Sequence, residues 1–300
     1  LGGNITSLPE SFGDLENLES FIATSCGLQY LPASFGKLKK LKRLECNLNP
    51  MQGLPSNIGD LESLEVMRTN STEMLPSSIS KLSKLRNLYF TTTAANPRLP
   101  ADFGKLSSLD TLVLEGKYPE LPTSFTDLNI KYFQILYTNI SQWPENFGNL
   151  RNLETLQLAG PYRLLPESIS SLSNLKSFTI NSNLIEKLPE HIGNLKKLTF
   201  LSAESGMLRE LPISIGEMES LLELRITSNS IESLPSSFFE LPKLSSLSIS
   251  NNQLSMIPDD FSKLSQTLKG LYIYGNKITA TDIAKLRKLL PTTGISSNFY

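Results

Sequence analysis

The 300 residues contain one histidine, one tryptophan and two cysteines, and neither sign of charge is in excess: 28 Lys and Arg stand against 29 Asp and Glu. Each shortage excludes something. His191, alone and beside Glu190, cannot build an imidazole metal cluster, and no Ser/His/Asp or Cys/His arrangement assembles around it. Cys26 and Cys46 are too few for a disulfide framework and read as inert buried thiols, which leaves the redox compartment open. The balanced charge lacks the basic excess that drives phosphate binding by counterion release, so nucleic acid is not an expected partner. No apolar run approaches the roughly 18 residues that cross a bilayer, so no direct membrane insertion is expected. Gly-x-Gly-x-x-Gly and Walker-type loops are missing, and no cofactor or metal is expected. Paired carboxylates such as Asp259-Asp260 suit turns better than acid–base chemistry. The chain does not read as an enzyme.

What is present is repetition. Leu-Pro recurs at Leu8, Leu31, Leu54, Leu75, Leu99, Leu121, Leu165, Leu188, Leu211 and Leu234, with Trp143-Pro144 and Ile257-Pro258 in the same slot. The spacing is 21 to 24 residues. Four residues beyond each anchor stands Phe or Ile, from Phe12 and Phe35 to Phe238 and Phe261, without exception. Such a period has to be read before any globular prior is applied. Within a unit, Leu-x-Leu has the period of a strand with one buried face, and the preceding Leu-x-x-Leu suits a helical or 3-10 turn. Strands repeated this way run parallel, about 4.8 Å apart. The bulkier return segments bend the stack, with strands on the inner side. Each unit buries its leucines only against its neighbours. Asn49, Asn183, Asn229, Asn252 and Asn276 follow their strands, where a buried amide can satisfy backbone groups left unpaired by the turn. Proline after the anchor fixes φ, and glycine after the Phe/Ile position (Gly13, Gly59, Gly193 and others) is expected to permit a tight turn.

From Leu8 to Ile278 these residues resemble the leucine-rich-repeat superfamily. The Leu-Pro-x-Ser-Phe/Ile-Gly-x-Leu variety is similar to the repeats of Ras-associated scaffolds, plant intracellular Ras-group proteins and many bacterial surface proteins. It lacks the Gly-x-Ile-Pro signature of plant receptor-kinase repeats. The resemblance implies an α/β fold: a leucine-rich-repeat solenoid, a right-handed horseshoe with parallel strands on the concave face and short helical or 3-10 turns on the convex face. It also implies protein or ligand binding on that concave face, without naming the ligand.

The expected organisation is an array of about twelve repeats over residues 1–278 and a capping helix with a tail over 279–300. Leu1 to Ser7 read as the tail of a unit whose strand is missing, so the array is expected to be N-terminally incomplete. Thr281-Asp282 are expected to cap a helix carrying Ile283, Leu286, Leu289 and Leu290 that stops at Pro291 and covers the last repeat. Sequons at Asn4, Asn70 and Asn139 matter only in a eukaryotic secretory pathway and fall readily in an Asn- and Ser-rich repeat.

Irregularity marks the candidate site. Between Leu61 and Leu165 the units change length and the asparagine slot is lost. Outward-facing strand positions in the third to sixth repeats collect Val66, Tyr89, Val113, Tyr132 and Leu136, with Tyr137 adjacent; Arg68, Glu115 and Gln134 supply a polar surround. Tyrosines with apolar bodies and polar tips are typical interface anchors. The regular second half reads as structural spacer. These readings favour a non-catalytic scaffold binding a protein partner on its concave face, as a bacterial secreted or cell-surface protein that is extracellular. An intracellular, cytoplasmic scaffold for a GTPase or phosphatase is the second reading. A carbohydrate receptor using the tyrosines as stacking platforms is the third.

Overall fold

Each return segment starts from the Leu-Pro pair. Proline's locked φ holds the chain extended (Pro32 at φ −66°, ψ 157°; Pro212 at φ −66°, ψ 151°). A 3-10 turn opens directly afterwards: the N–H of Phe35 donates to the Pro32 carbonyl oxygen and that of Ile215 to Pro212. The turn drives Phe35, Ile58, Phe103 and Ile192 inward, where they are fully buried. The leucines that follow are buried beneath the strand, and the strand then alternates buried and outward residues, as a period of two requires.

The computed structural model describes residues 5–299, which divide after Leu150 into two compact units. The first contains β1 (Ser20–Ile22), β2 (Arg43–Glu45), β3 (Val66–Ser71), β4 (Asn87–Thr92), β5 (Thr111–Glu115) and β6 (Tyr132–Leu136). Each pairs in parallel with the next. The second contains β7 (Thr155–Ala159), β8 (Ser177–Asn181), β9 (Phe200–Ser202), β10 (Glu223–Arg225), β11 (Ser246–Ser248), β12 (Gly270–Tyr272), helix α1 (Ala280–Leu289) and β13 (Gly294–Ser296). These strands also pair in parallel and in chain order. Both units are built as a leucine-rich-repeat solenoid of the α/β class, parallel strands alternating with 3-10 turns.

The asparagines behave as their position predicts. Asn49 is buried, its Oδ1 accepts from the N–H groups of Cys26, Gly27 and Leu28, and its Nδ2 donates to the carbonyls of Ala23, Cys46 and Asn47. Asn229, Asn252 and Asn276 repeat the scheme, each stitching one repeat to the one before. Cys26 and Cys46 are free and buried; burial pushes the Cys46 thiol up to about 11.

Three expectations need revision. Glycine after the Phe/Ile position serves close approach: a Cβ on Gly59 would lie 1.8 Å from the Ser78 carbonyl oxygen of the next turn. The cap of α1 is Thr279, two residues earlier than Thr281. The Asp282 N–H donates to Thr279 Oγ1 and the Thr279 N–H donates to Asp282 Oδ2, a reciprocal capping box. The tail also contains β13, which pairs with β12. The sequon at Asn4 lies outside the described residues, while Asn70 is engaged through its Nδ2, 2.5 Å from the Asn49 carbonyl oxygen.

Candidate functional site

Where the asparagine slot is lost, hydroxyls take its place. Buried Ser71 donates to the Gln52 carbonyl and accepts from the Glu73 N–H; Thr92 donates to Glu73 and accepts from Ala94; Thr138 donates to Tyr118. In β3 and β4 the strand then continues instead of turning through a left-handed residue, as it does at Leu48 after β2. Both strands run six residues and β2 runs three. The irregular repeats therefore present a wider strand face than β1 and β2.

Register arranges that face in rows. The middle row runs Glu45, Arg68, Tyr89, Val113, Gln134 from β2 to β6. One outer row runs Val66, Asn87, Thr111, Tyr132, and the other Asn70, Thr91, Glu115, Leu136. Thus Arg68, Tyr89, Val113 and Gln134 lie side by side, and Glu115 stands beside Leu136. Val66 is separated from Tyr132 by the two polar residues Asn87 and Thr111. Tyr137 lies outside the rows, in the turn after β6, with φ 57° and 71% of its surface exposed. Most equivalent left-handed positions carry Ser or Asn (Ser182, Ser228, Asn251), so a bulky tyrosine there stands out.

Electrostatic contacts pre-arrange the middle row. Glu45 Oε1 lies 2.6 Å from Arg43 Nη2 and 3.6 Å from Arg68 Nε. The Arg68 guanidinium carbon sits 4.2 Å from the Tyr89 ring centroid, a cation–π contact. Thr91 Oγ1 donates to Glu115 Oε2 at 2.8 Å, and the Tyr132 hydroxyl donates to Gln134 Oε1 at 3.3 Å. Burial, then the neighbouring Tyr89 hydroxyl, pushes the Tyr132 phenol above its usual range. Val66, Tyr89, Val113, Tyr132, Gln134, Glu115 and Leu136 are all half-buried, while Arg68 is exposed. The apolar members form a flat, partly covered surface from which Arg68 emerges.

The regular second half of the array, expected to be spacer, carries on its strand face the pair Tyr272 and Tyr274, both exposed, beside Ser246, Ser248 and Ser250. The sequence signal is Leu271-Tyr272-Ile273-Tyr274: a period of two puts both rings on one face. His191 is exposed, its Nδ1 2.8 Å from Glu167 Oε1. Among the described residues no group of His, Cys, Asp and Glu could hold a metal ion, and no helix is long and apolar enough to cross a membrane.

A family model described as a leucine-rich repeat region matches residues 1–91, 125–208 and 189–291. The chain belongs to the leucine-rich-repeat family. Proteins of this family and fold are generally non-catalytic scaffolds for protein–protein interaction. No curated protein matches the sequence. Among solved structures, a leucine-rich-repeat protein of Leptospira interrogans is 25% identical with a TM-score of 0.72, the match covering 97% of this chain and 75% of that one. An internalin from Listeria monocytogenes is 19% identical with a TM-score of 0.76, covering 98% and 84%. The Toll–Spätzle complex of Drosophila is 20% identical with a TM-score of 0.76, covering 99% of this chain and 46% of that one. The last two likenesses concern the fold alone.

Proposed function

We propose that this leucine-rich-repeat chain is a non-catalytic scaffold that captures a protein partner on the strand face of β3–β6, through Tyr89, Tyr132, Arg68, Val113 and Gln134, with Val66, Glu115, Leu136 and Tyr137 at the margins. The observation that carries it is the Glu45–Arg68–Tyr89 stack, which holds an arginine and an aromatic ring in fixed positions on a broadened strand surface. Arg and Tyr are enriched at binding hot spots, and groups already ordered lose less entropy on association. The family and fold point to protein ligands, and Toll is seen in complex with Spätzle. We place the protein at a bacterial cell surface or outside the cell; its likeness to the Leptospira protein supports the bacterial origin in that reading.

The test starts from a peptide or protein selected from a displayed library on the full chain. The double variant Tyr89→Ala/Tyr132→Ala should weaken capture at least tenfold while shifting Tm by only a few degrees, because both side chains lie on the outer face of the strands. Undiminished capture by the folded variant would remove the site from β3–β6. Protease treatment of intact source cells tests the location: loss of the protein supports surface exposure, and protection until lysis contradicts it.

A further inference from the structure

The strand face of β10–β12 forms a trough. Register aligns Glu223, Ser246 and Gly270 in one row and Arg225, Ser248 and Tyr272 in the next; Thr227, Ser250 and Tyr274 continue the alternation. The central strand thus presents only serine. It lies between a charged wall on β10 and an aromatic wall on β12. Two strand spacings set those walls about 10 Å apart. The trough holds an open cleft of about 350 Å³ that Glu204 also lines.

A buried polar group without a partner marks the floor. Ser250 is 1% exposed, lines the cavity, and its Oγ has no hydrogen-bond partner. Such a group is costly unless something satisfies it. Meanwhile Arg225 Nε lies 2.6 Å from Glu223 Oε1, so the charged wall is already neutralised and Glu204 is the remaining charge in the lining. An acidic ligand finds no free cation there. β11 is paired on both sides, so an extended peptide cannot add to it by backbone hydrogen bonding. The lining offers serine hydroxyls, carboxylate acceptors and two aromatic rings, which suits a neutral ligand with alternating donors and acceptors and a flat C–H face.

We propose that the trough formed by Glu204, Glu223, Arg225, Ser250, Tyr272 and Tyr274 is a binding site for a neutral oligosaccharide, separate from the protein-binding face in the first unit. A pyranose unit has the required chemistry: its hydroxyls pair with the serine floor and with Glu204, and its axial C–H face packs on Tyr272 or Tyr274.

The experiment is saturation-transfer NMR on the full chain with cellotetraose, chitotetraose and mannotetraose, followed by titration of any that respond. At least one should bind, with Tyr272→Ala/Tyr274→Ala weakening it tenfold or more and Ser246→Leu abolishing it by filling the floor. Tyr272→Phe, which keeps the ring, should retain affinity within about threefold, and Tyr89→Ala in the first unit should leave it unchanged. Absence of transfer to all three sugars overturns the proposal. So does binding that persists in the folded double tyrosine variant, or that disappears in Tyr89→Ala. Because Tyr89→Ala probes the protein-binding face independently, failure of either site is recognised without reference to the other.

Discussion

At Gly193 the turn of the next repeat passes so close that a Cβ would lie 2.0 Å from the Ser214 carbonyl oxygen. The same serine closes the contact from the other side, its Oγ accepting the Gly193 N–H at 3.2 Å. Gly59 with Ser78 and Gly104 with Ser124 reproduce both halves of the arrangement. The serine and glycine of the recurring Leu-Pro-x-Ser-Phe/Ile-Gly pattern are therefore two sides of one joint between successive repeats. No side chain can bend away from a contact made through its own Cβ, so the turns themselves would have to separate. Overpacking of this kind costs about 1–3 kcal/mol. Gly193→Ala is expected to lower the free energy of unfolding by at least the upper part of that range, measured by urea titration. An unchanged midpoint would mean that the spacing between turns is adjustable.

Single elements of the array are held by charges that belong to their neighbours. Glu10 in the first 3-10 turn reaches the next turn, where its carboxylate accepts the Ser34 N–H at 2.9 Å and the Ala33 N–H at 3.2 Å. Glu167 does the same for the N–H groups of Glu190 and His191. The Ser34 N–H above all holds the Glu10 carboxyl below its ordinary value. At Glu167, burial pushes upward, but the hydrogen bonds from His191 and Glu190 outweigh it and the carboxyl is again lowered. In the unfolded chain both glutamates return to about 4.3. A carboxyl lowered on folding stabilises the fold above that unfolded value and loses its contribution as pH falls through the folded one. Tm should accordingly decline as pH drops from about 5 towards 3. Glu10→Gln should have a lower Tm than the parent at pH 7 and a shallower decline over that interval. Equal slopes in the two proteins would show that Glu10 does not act through its charge.

At the level of the molecule, the period alone made the fold legible: a Leu-Pro anchor with Phe or Ile four residues on leaves one way for each unit to bury its apolar face. The hydroxyl ladder of Ser71, Thr92 and Thr138 was not legible, because serine and threonine are common throughout the chain and only coordinates show which of them are buried. For the candidate site, alternation placed Arg68, Tyr89, Val113 and Gln134 on one face, but their shared row depends on strand register, which crosses repeats of unequal length. Tyr137 looked continuous with Leu136 in sequence and is displaced by the left-handed turn between strand and loop. The β12 tyrosines are legible by the same alternation, but they stand in regular repeats, where nothing else in the sequence marks a site.

The same nearest-neighbour logic governs how the second unit should come apart. Its strands touch only the strands beside them, and α1 packs on the preceding turn. Ile283 and Leu286 are buried on that side, and Lys285 ties the helix down, its Nζ donating to the Ile257 carbonyl at 2.7 Å and pairing with Asp259 at 2.8 Å. In a stack stabilised by successive interfaces, loss of a terminal contact should be felt locally and fade with distance from the end. Leu286→Asp places a charge in the seam beneath α1, where burial without a partner is strongly unfavourable. Amide hydrogen exchange should therefore accelerate most in α1, β12 and β13, less in β11 and β10, and little in β7 and β8. A uniform acceleration across the second unit would show that its repeats unfold as one cooperative block, with interfaces too strong for the end to open alone.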